Sequence, residues 1–143
     1  MVLGMECPFC NLDKEESRTL RKGKFSTVIL SNPRLMKGHC LVIPNRHIEK
    51  PWELKPDELQ DIFENIFWVQ QKLLNSLATG TDVRQNYRPF LAEGRTKVNH
   101  LHFHVLPRTN DDELYKESMQ YEKNLFQDMS DAERQKMRQL FNS

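Results

Sequence analysis

Charge of either sign is almost cancelled in this chain, whose 21 basic and 20 acidic residues leave a formal net charge of +1. Such a balance sets up no global field toward nucleic acid or an anionic membrane, so any affinity for phosphate has to come from a local site. No run approaches the roughly 20 apolar residues that span a bilayer. Glycine is scarce, at 5 in 143 residues, and no tract is biased in composition, which excludes fibrous and low-complexity classes. Cysteine is scarce and odd in number: Cys7, Cys10 and Cys40. Three cysteines suit a reducing compartment better than a disulfide framework. The stretch Met1–Glu6 has no basic region and no long apolar core, unlike a secretory signal, so the expected location is cytoplasmic. What remains is an ordinary globular composition, 38% hydrophobic and 29% charged, at the length of one domain.

Apolar periodicity places the elements. Thr19 to Lys24 and Phe25 to Leu30 read as strands, and Asn32-Pro33 as a turn. His39 to Pro44 reads as a short apolar strand entered through Gly38. A helix is predicted from about Pro56 to Leu77, with Pro56 at its first position and Asp57 and Glu58 in its first turn. Leu59, Ile62, Phe63, Ile66, Phe67, Leu73, Leu74 and Leu77 recur at helical steps and are expected to pack in the core, with Gly80 ending the helix. Asp82 to Tyr87 suits another strand. Val98 to Leu106 alternates and is expected to stop at Pro107. Two helices follow, the last opened by a capping box, Ser130-Asp131-Ala132-Glu133. With no repeat and no linker, the order suggests a single α+β domain over 1–143, with its core at about 7–108 and a helical extension at about 109–143.

Three of the five histidines lie in His100-Leu101-His102-Phe103-His104-Val105-Leu106. Side chains alternate along a strand, so His100, His102 and His104 share one face, roughly 6.6 to 7 Å apart, while Leu101, Phe103 and Val105 line the other. A metal site or a solvated polar face would use the same alternation. Three histidines on an apolar strand ended by Pro107-Arg108, with Gly38-His39 opening a second apolar strand, favour catalysis. Cys7-Pro8-Phe9-Cys10 has a gap that lets two thiolates hold one zinc ion, and a redox pair has the same spacing.

On Gly38-His39-Cys40-Leu41-Val42-Ile43-Pro44 and His100 to Arg108, the chain resembles the histidine triad (HIT) family of nucleotide hydrolases and transferases. The resemblance covers about Cys7 to Arg108. It implies a HIT-like fold, an antiparallel sheet of about five strands packed with one long helix, usually as a homodimer. It further implies purine nucleotides and dinucleoside polyphosphates, small molecules, as substrates, with a covalent nucleotidyl-histidine intermediate, while the balanced charge and the lack of a long apolar run point to no nucleic-acid and no membrane partner. By correspondence His102 is the nucleophile that attacks the α-phosphorus, and His39 and His104 donate hydrogen bonds to phosphate oxygens and help hold His102 in its reactive tautomer. His100 serves either this site or a metal. No magnesium motif is visible.

Many bacterial members begin with a cysteine pair, and the likeness then implies a structural zinc ion held by Cys7, Cys10, His47 and His100. The chain departs from the family before the triad, where Arg95-Thr96-Lys97 replaces the usual glutamine and hydroxyl. Arg95, Thr96 and Lys97 either grip a polyphosphate or form a solvated hairpin. Ser31 and Asn32 are the candidates for the ribose hydroxyls. Cys40 is expected to pack in its strand, and Trp52 and Trp68 in the core or at a dimer contact. The expected activity is hydrolysis at the α-phosphate of dinucleoside polyphosphates or nucleoside phosphoramidates. A nucleotidyl transferase or phosphorylase, or a regulatory nucleotide binder without turnover, are the alternatives.

Overall fold

The computed structural model describes residues 7–143, so the Met1–Glu6 stretch discussed above lies outside the described residues. The chain forms two compact units that meet at the Thr109–Asn110 bond.

The first unit is α+β. Its strands are β1 (Thr19–Lys22), β2 (Ser26–Leu30), β3 (Cys40–Pro44), β4 (Gly80–Arg84) and β5 (Phe103–Arg108), with α1 spanning Pro56–Leu74. They make one five-stranded antiparallel sheet in the order β1-β2-β3-β5-β4. β3 lies at its centre with all five residues buried, which its unbroken apolar sequence dictates. Cys40 and Val42 join Val28 and Val105 against Ile62, Ile66, Val69 and Leu73 of α1. On the opposite face Leu41, Ile43 and Ile29 pack against Cys7 and Phe9 of the N-terminal segment. The sheet is thus covered on one side by a helix and on the other by the segment carrying the cysteine pair.

The start of α1 also fixes a loop. Pro56 occupies the first helical position, and the Glu58 carboxylate accepts a hydrogen bond from the Lys55 N–H at 2.9 Å. Both Glu58 oxygens are held by Arg46, at 2.8 and 3.0 Å. This bidentate pair holds the Glu58 carboxyl below the usual carboxylate range and ties the chain beside His47 to the helix.

Several elements differ from the sequence reading. α1 ends at Leu74, and Gly80 is the first residue of β4 rather than a helix stop. Ile62, Ile66 and Leu73 are buried as expected, but Leu59, Phe63, Phe67, Leu74 and Leu77 are exposed. Apolar residues cover a wider arc of this helix than one sheet face can reach. Trp52 is exposed too, while Trp68 is half-buried beneath the Arg21 guanidinium. Residues 98–102 do not pair as a strand, and Pro107 lies inside β5 instead of ending it. β3 pairs only as far as Val105, so the missing N–H of Pro107 deprives no neighbour of a ladder bond on that side.

Gly38 stands at φ 89°, a left-handed conformation that side chains disfavour. A Cβ here would lie 2.7 Å from Leu77 Cδ1 and 3.3 Å from both Leu73 Cδ2 and Pro107 Cγ. Gly38→Ala is therefore expected to destabilise the protein by about 1–3 kcal/mol, combining backbone strain with overpacking. An unchanged denaturant midpoint would show that this turn accepts a side chain.

The second unit holds a π-helical turn (Tyr115–Met119), a single helical turn (Gln120–Glu122) and α2 (Asp131–Phe141). Ser130 Oγ accepts from the Glu133 N–H at 3.1 Å, one arm of the expected capping box. No helix among the described residues is long and apolar enough to cross a membrane.

Candidate functional site

The sheet brings the chain's five histidines into two adjoining groups. His39 precedes β3, His104 sits in β5, and β3 and β5 pair directly, with Leu41 opposite His104. His39 Nε2 is 2.9 Å from His104 Nδ1. The His102 and His104 rings lie 4.9 Å apart between centroids. His102 also meets the ring of Phe9, edge to face, at 5.1 Å. These three imidazoles form the first group.

Hydrogen-bond partners fix their protons. The Leu35 N–H donates to His39 Nδ1 at 3.1 Å, so neutral His39 carries its hydrogen on Nε2. That N–H donates to His104 Nδ1, which leaves the His104 hydrogen on its own Nε2. His102 Nδ1 lies 2.7 Å from the His100 carbonyl oxygen and must donate to it. The Nε2 lone pair of His102 is then left available, beside an N–H donor on His104. A nucleophile next to a hydrogen-bond donor is what phosphoryl chemistry requires.

Electrostatics keep these rings neutral. Burial, and to a lesser degree the charge of Arg84, lowers His39 to about 4. Burial and the neighbouring His102 lower His104 to about 3. His102 is also lowered by burial, against the pull of its carbonyl acceptor. His39 and His104 protonate in the unfolded chain below about pH 6.5 but stay neutral when folded, so stability falls as pH drops from about 6.5 toward 4. His39 and His104 alone predict an uptake of about two protons on unfolding near pH 5, a slope of roughly 2–3 kcal/mol per pH unit. Denaturant unfolding at pH 6.5 and 5.0 measures it, and equal stabilities at the two values would refute the neutral pair.

Arg84 was missed by the sequence reading. It pairs in register with His104 across β4 and β5, which puts its side chain on the same face of the sheet. Its guanidinium makes a long 3.5 Å contact with Asp82, which also pairs with Arg108. Only the strand pairing reveals this neighbour, because nothing in the local sequence links residue 84 to residue 104.

The second group is Cys7, Cys10, His47 and His100, whose four ligand atoms all lie within 4.8 Å of one another. His100 Nε2 donates to the Pro44 carbonyl at 2.8 Å, which leaves Nδ1 unprotonated and 3.3 and 3.5 Å from the sulfurs of Cys7 and Cys10. His47 Nδ1 is 3.2 Å from Cys10 Sγ, and its Nε2 is 3.4 Å from Glu49. His100 therefore turns away from the other two triad rings. Its side chain joins the cysteines, while its backbone carbonyl orients His102.

The remaining sequence candidates fall at varied distances from this centre. Ser31 Oγ donates to the Pro33 carbonyl at 2.7 Å, its backbone N–H bonds to the His39 carbonyl at 2.8 Å, and Asn32 is exposed. Gly94 to Lys97 forms a tight hairpin with Arg95 and Thr96 exposed. Lys97 Nζ bonds the Leu91 carbonyl at 2.9 Å and also Asn99 Oδ1, which ties it to its own loop. Lys97 helps line a cavity next to His102, whose walls do not include Arg95 or Thr96. Cys40 is buried in the core, as expected.

Known proteins resemble this chain in sequence and fold. A domain-family profile described as HIT domain matches residues 13–111. Over 117 residues the chain is 30% identical to the asymmetrical bis(5'-nucleosyl)-tetraphosphatase of Schizosaccharomyces pombe, covering 76% of this chain but only 62% of that protein. It is 28% identical over 113 residues to the adenosine 5'-monophosphoramidase hnt1 of the same yeast, covering 76% of this chain and 78% of the relative. Among solved structures, a Zn-bound histidine triad family protein from Mycobacterium smegmatis superposes with a TM-score of 0.58 at 25% identity, over 78% of this chain and 81% of that one. The chain belongs to the HIT domain family.

Proposed function

We propose that the protein is a nucleotide hydrolase that cleaves its substrate at the α-phosphate through a nucleotidyl-histidine intermediate. The observation that carries this reading is the proton pattern: a free Nε2 lone pair on His102 beside an Nε2–H on His104. His102 Nε2 forms a bond to the α-phosphorus while the bridging bond to the leaving group breaks, and the electron pair departs with that group. Water then displaces His102 and releases the nucleoside monophosphate. His104 donates its N–H to a non-bridging phosphate oxygen, and His39 holds His104 in the tautomer that can donate. Arg84, on the same face, adds positive charge where phosphate negative charge collects. The two yeast relatives are named for hydrolysis of nucleotide substrates of this kind.

Cys7, Cys10, His47 and His100 fit a structural zinc ion. Tetrahedral zinc at its usual bond lengths sets sulfur and nitrogen ligand atoms roughly 3.4 to 3.8 Å apart, close to the 3.2–3.5 Å found here. Burial and the adjacent Cys7 push the Cys10 thiol up to about 11, so paired thiolates at this spot call for a cation. Held by these four side chains, such an ion would leave no open position for substrate and would fix the N-terminal segment against the sheet. The exposed α1 residues and the unpaired edge of β4 further support a homodimer.

The decisive experiment is rapid quenching after mixing with diadenosine tetraphosphate or adenosine phosphoramidate, followed by mass spectrometry. A mass increase of one adenylyl group on the peptide containing His102 is expected. Turnover with label on no histidine, or on another one, would overturn the mechanism.

A further inference from the structure

Next to His102 the chain leaves a cavity of about 290 Å³ whose walls include Lys50, Tyr87, Arg88 and Lys97. Its chemistry is lopsided. Three cations face one carboxylate, Glu49, and that carboxylate points toward His47 at 3.4 Å. Lys97 is tied to its own loop, whereas the side chains of Lys50 and Arg88 make no hydrogen bond or ion pair among the described residues. Tyr87, 41% exposed, meets the ring of Trp52 edge to face at 5.2 Å, and Trp52 is 69% exposed. An open aromatic pair thus adjoins a basic cavity that reaches the nucleophile.

We infer that this cavity is a subsite for the departing half of a dinucleoside polyphosphate, with the distal base stacked on Trp52. The inference rests on the reading of His102 as the nucleophile. The cavity sits at the lower end of ligand-pocket sizes, and its basic walls suit a phosphate chain. The base then has its platform at the rim, where Tyr87 of the cavity wall meets the exposed Trp52 ring. When His102 Nε2 bonds to the α-phosphorus, the bridging oxygen leaves with the electron pair as part of a nucleoside polyphosphate anion. Lys50 and Arg88 meet that added negative charge. Base-on-aromatic stacking tolerates any base, so the subsite selects for a second nucleotide rather than for a particular sequence of bases. A phosphoramidate, whose leaving group is an amine, has nothing to place there.

The test uses the full chain with Trp68→Phe, which leaves Trp52 as the sole tryptophan, and His102→Ala to prevent turnover. Binding of diadenosine tetraphosphate and of adenosine monophosphate is measured by equilibrium dialysis, and Trp52 emission is recorded in the same samples. Diadenosine tetraphosphate is expected to quench Trp52 strongly, while bound adenosine monophosphate leaves it unchanged. In the otherwise native chain, Trp52→Ala should raise the ratio of KM for diadenosine tetraphosphate over KM for adenosine phosphoramidate by about tenfold or more. Bound tetraphosphate without quenching, equal quenching by the monophosphate, or an unchanged KM ratio would each overturn the subsite. Emission that varies with protein concentration and ignores nucleotide would assign the aromatic pair to a second copy of the chain instead. If neither nucleotide binds in dialysis, the hydrolase reading itself fails.

Discussion

Replacement of His102 by alanine is expected to lower the hydrolysis rate by three orders of magnitude or more while nucleotide affinity changes by less than about tenfold. The split follows from the division of labour among the three rings. On the proposed mechanism His102 contributes a lone pair that matters only once the phosphorus is being attacked. On the same mechanism the ground-state phosphate contacts would come from His104 and from Arg84, its cross-strand partner, which the substitution leaves in place. A change in binding alone would alter KM with kcat preserved, the opposite pattern. His104→Ala supplies the contrast: it removes a donor rather than the nucleophile, so a smaller loss of roughly 10²- to 10³-fold is expected, as for other single phosphate or oxyanion donors. Steady-state kinetics and a binding isotherm for each variant decide the matter. Turnover by His102→Ala above a tenth of the native rate would remove it from the nucleophilic role.

Chelation of zinc is expected to have the largest effect on stability. If the ion is present at about 1,000 times its dissociation constant, its removal costs about 4 kcal/mol. For a chain of this size that corresponds to a fall in Tm of roughly 10 °C. The loss should be borne by the N-terminal segment, because Cys7 and Phe9 form the apolar lid over Ile29, Leu41 and Ile43. Cys10→Ser should reproduce most of the loss and become insensitive to chelator. Elemental analysis of protein purified without added metal should give one zinc per chain. Protein without zinc, melting at the same temperature with and without chelator, would reduce the four side chains to packing groups.

How far the sequence announced all this depends on whether the governing contacts are local. The alternation of His100, His102 and His104 and the two-residue gap between Cys7 and Cys10 are local patterns, and both lead to clusters in the structure. The Ser130 cap is local as well, and it stands where expected. Pro107 misled because β3 pairs only as far as Val105, so on that side no neighbour needs the missing N–H, and the strand runs on beside β4. The apolar residues of α1 misled in another way: periodicity identifies which side chains avoid water but not how much sheet is available to cover them. Arg84 was out of reach because its importance lies in a cross-strand register. Arg95 and Thr96 drew notice by their departure from the family pattern, yet their hairpin turns them into solvent and away from the cavity walls.

The proton arrangement around His102 begins and ends on peptide groups: the Leu35 N–H at one end and the His100 carbonyl at the other. Amides neither titrate in the physiological range nor change when a side chain is exchanged. The instructions that select each imidazole's reactive nitrogen are thus written in the course of the chain, and a residue-by-residue alignment has no column for them. Leu35 could become another amino acid with a backbone N–H without disturbing the wiring, whereas proline there would erase it. Two relatives could therefore carry identical histidines and differ in chemistry, solely because a loop of one of them takes another path.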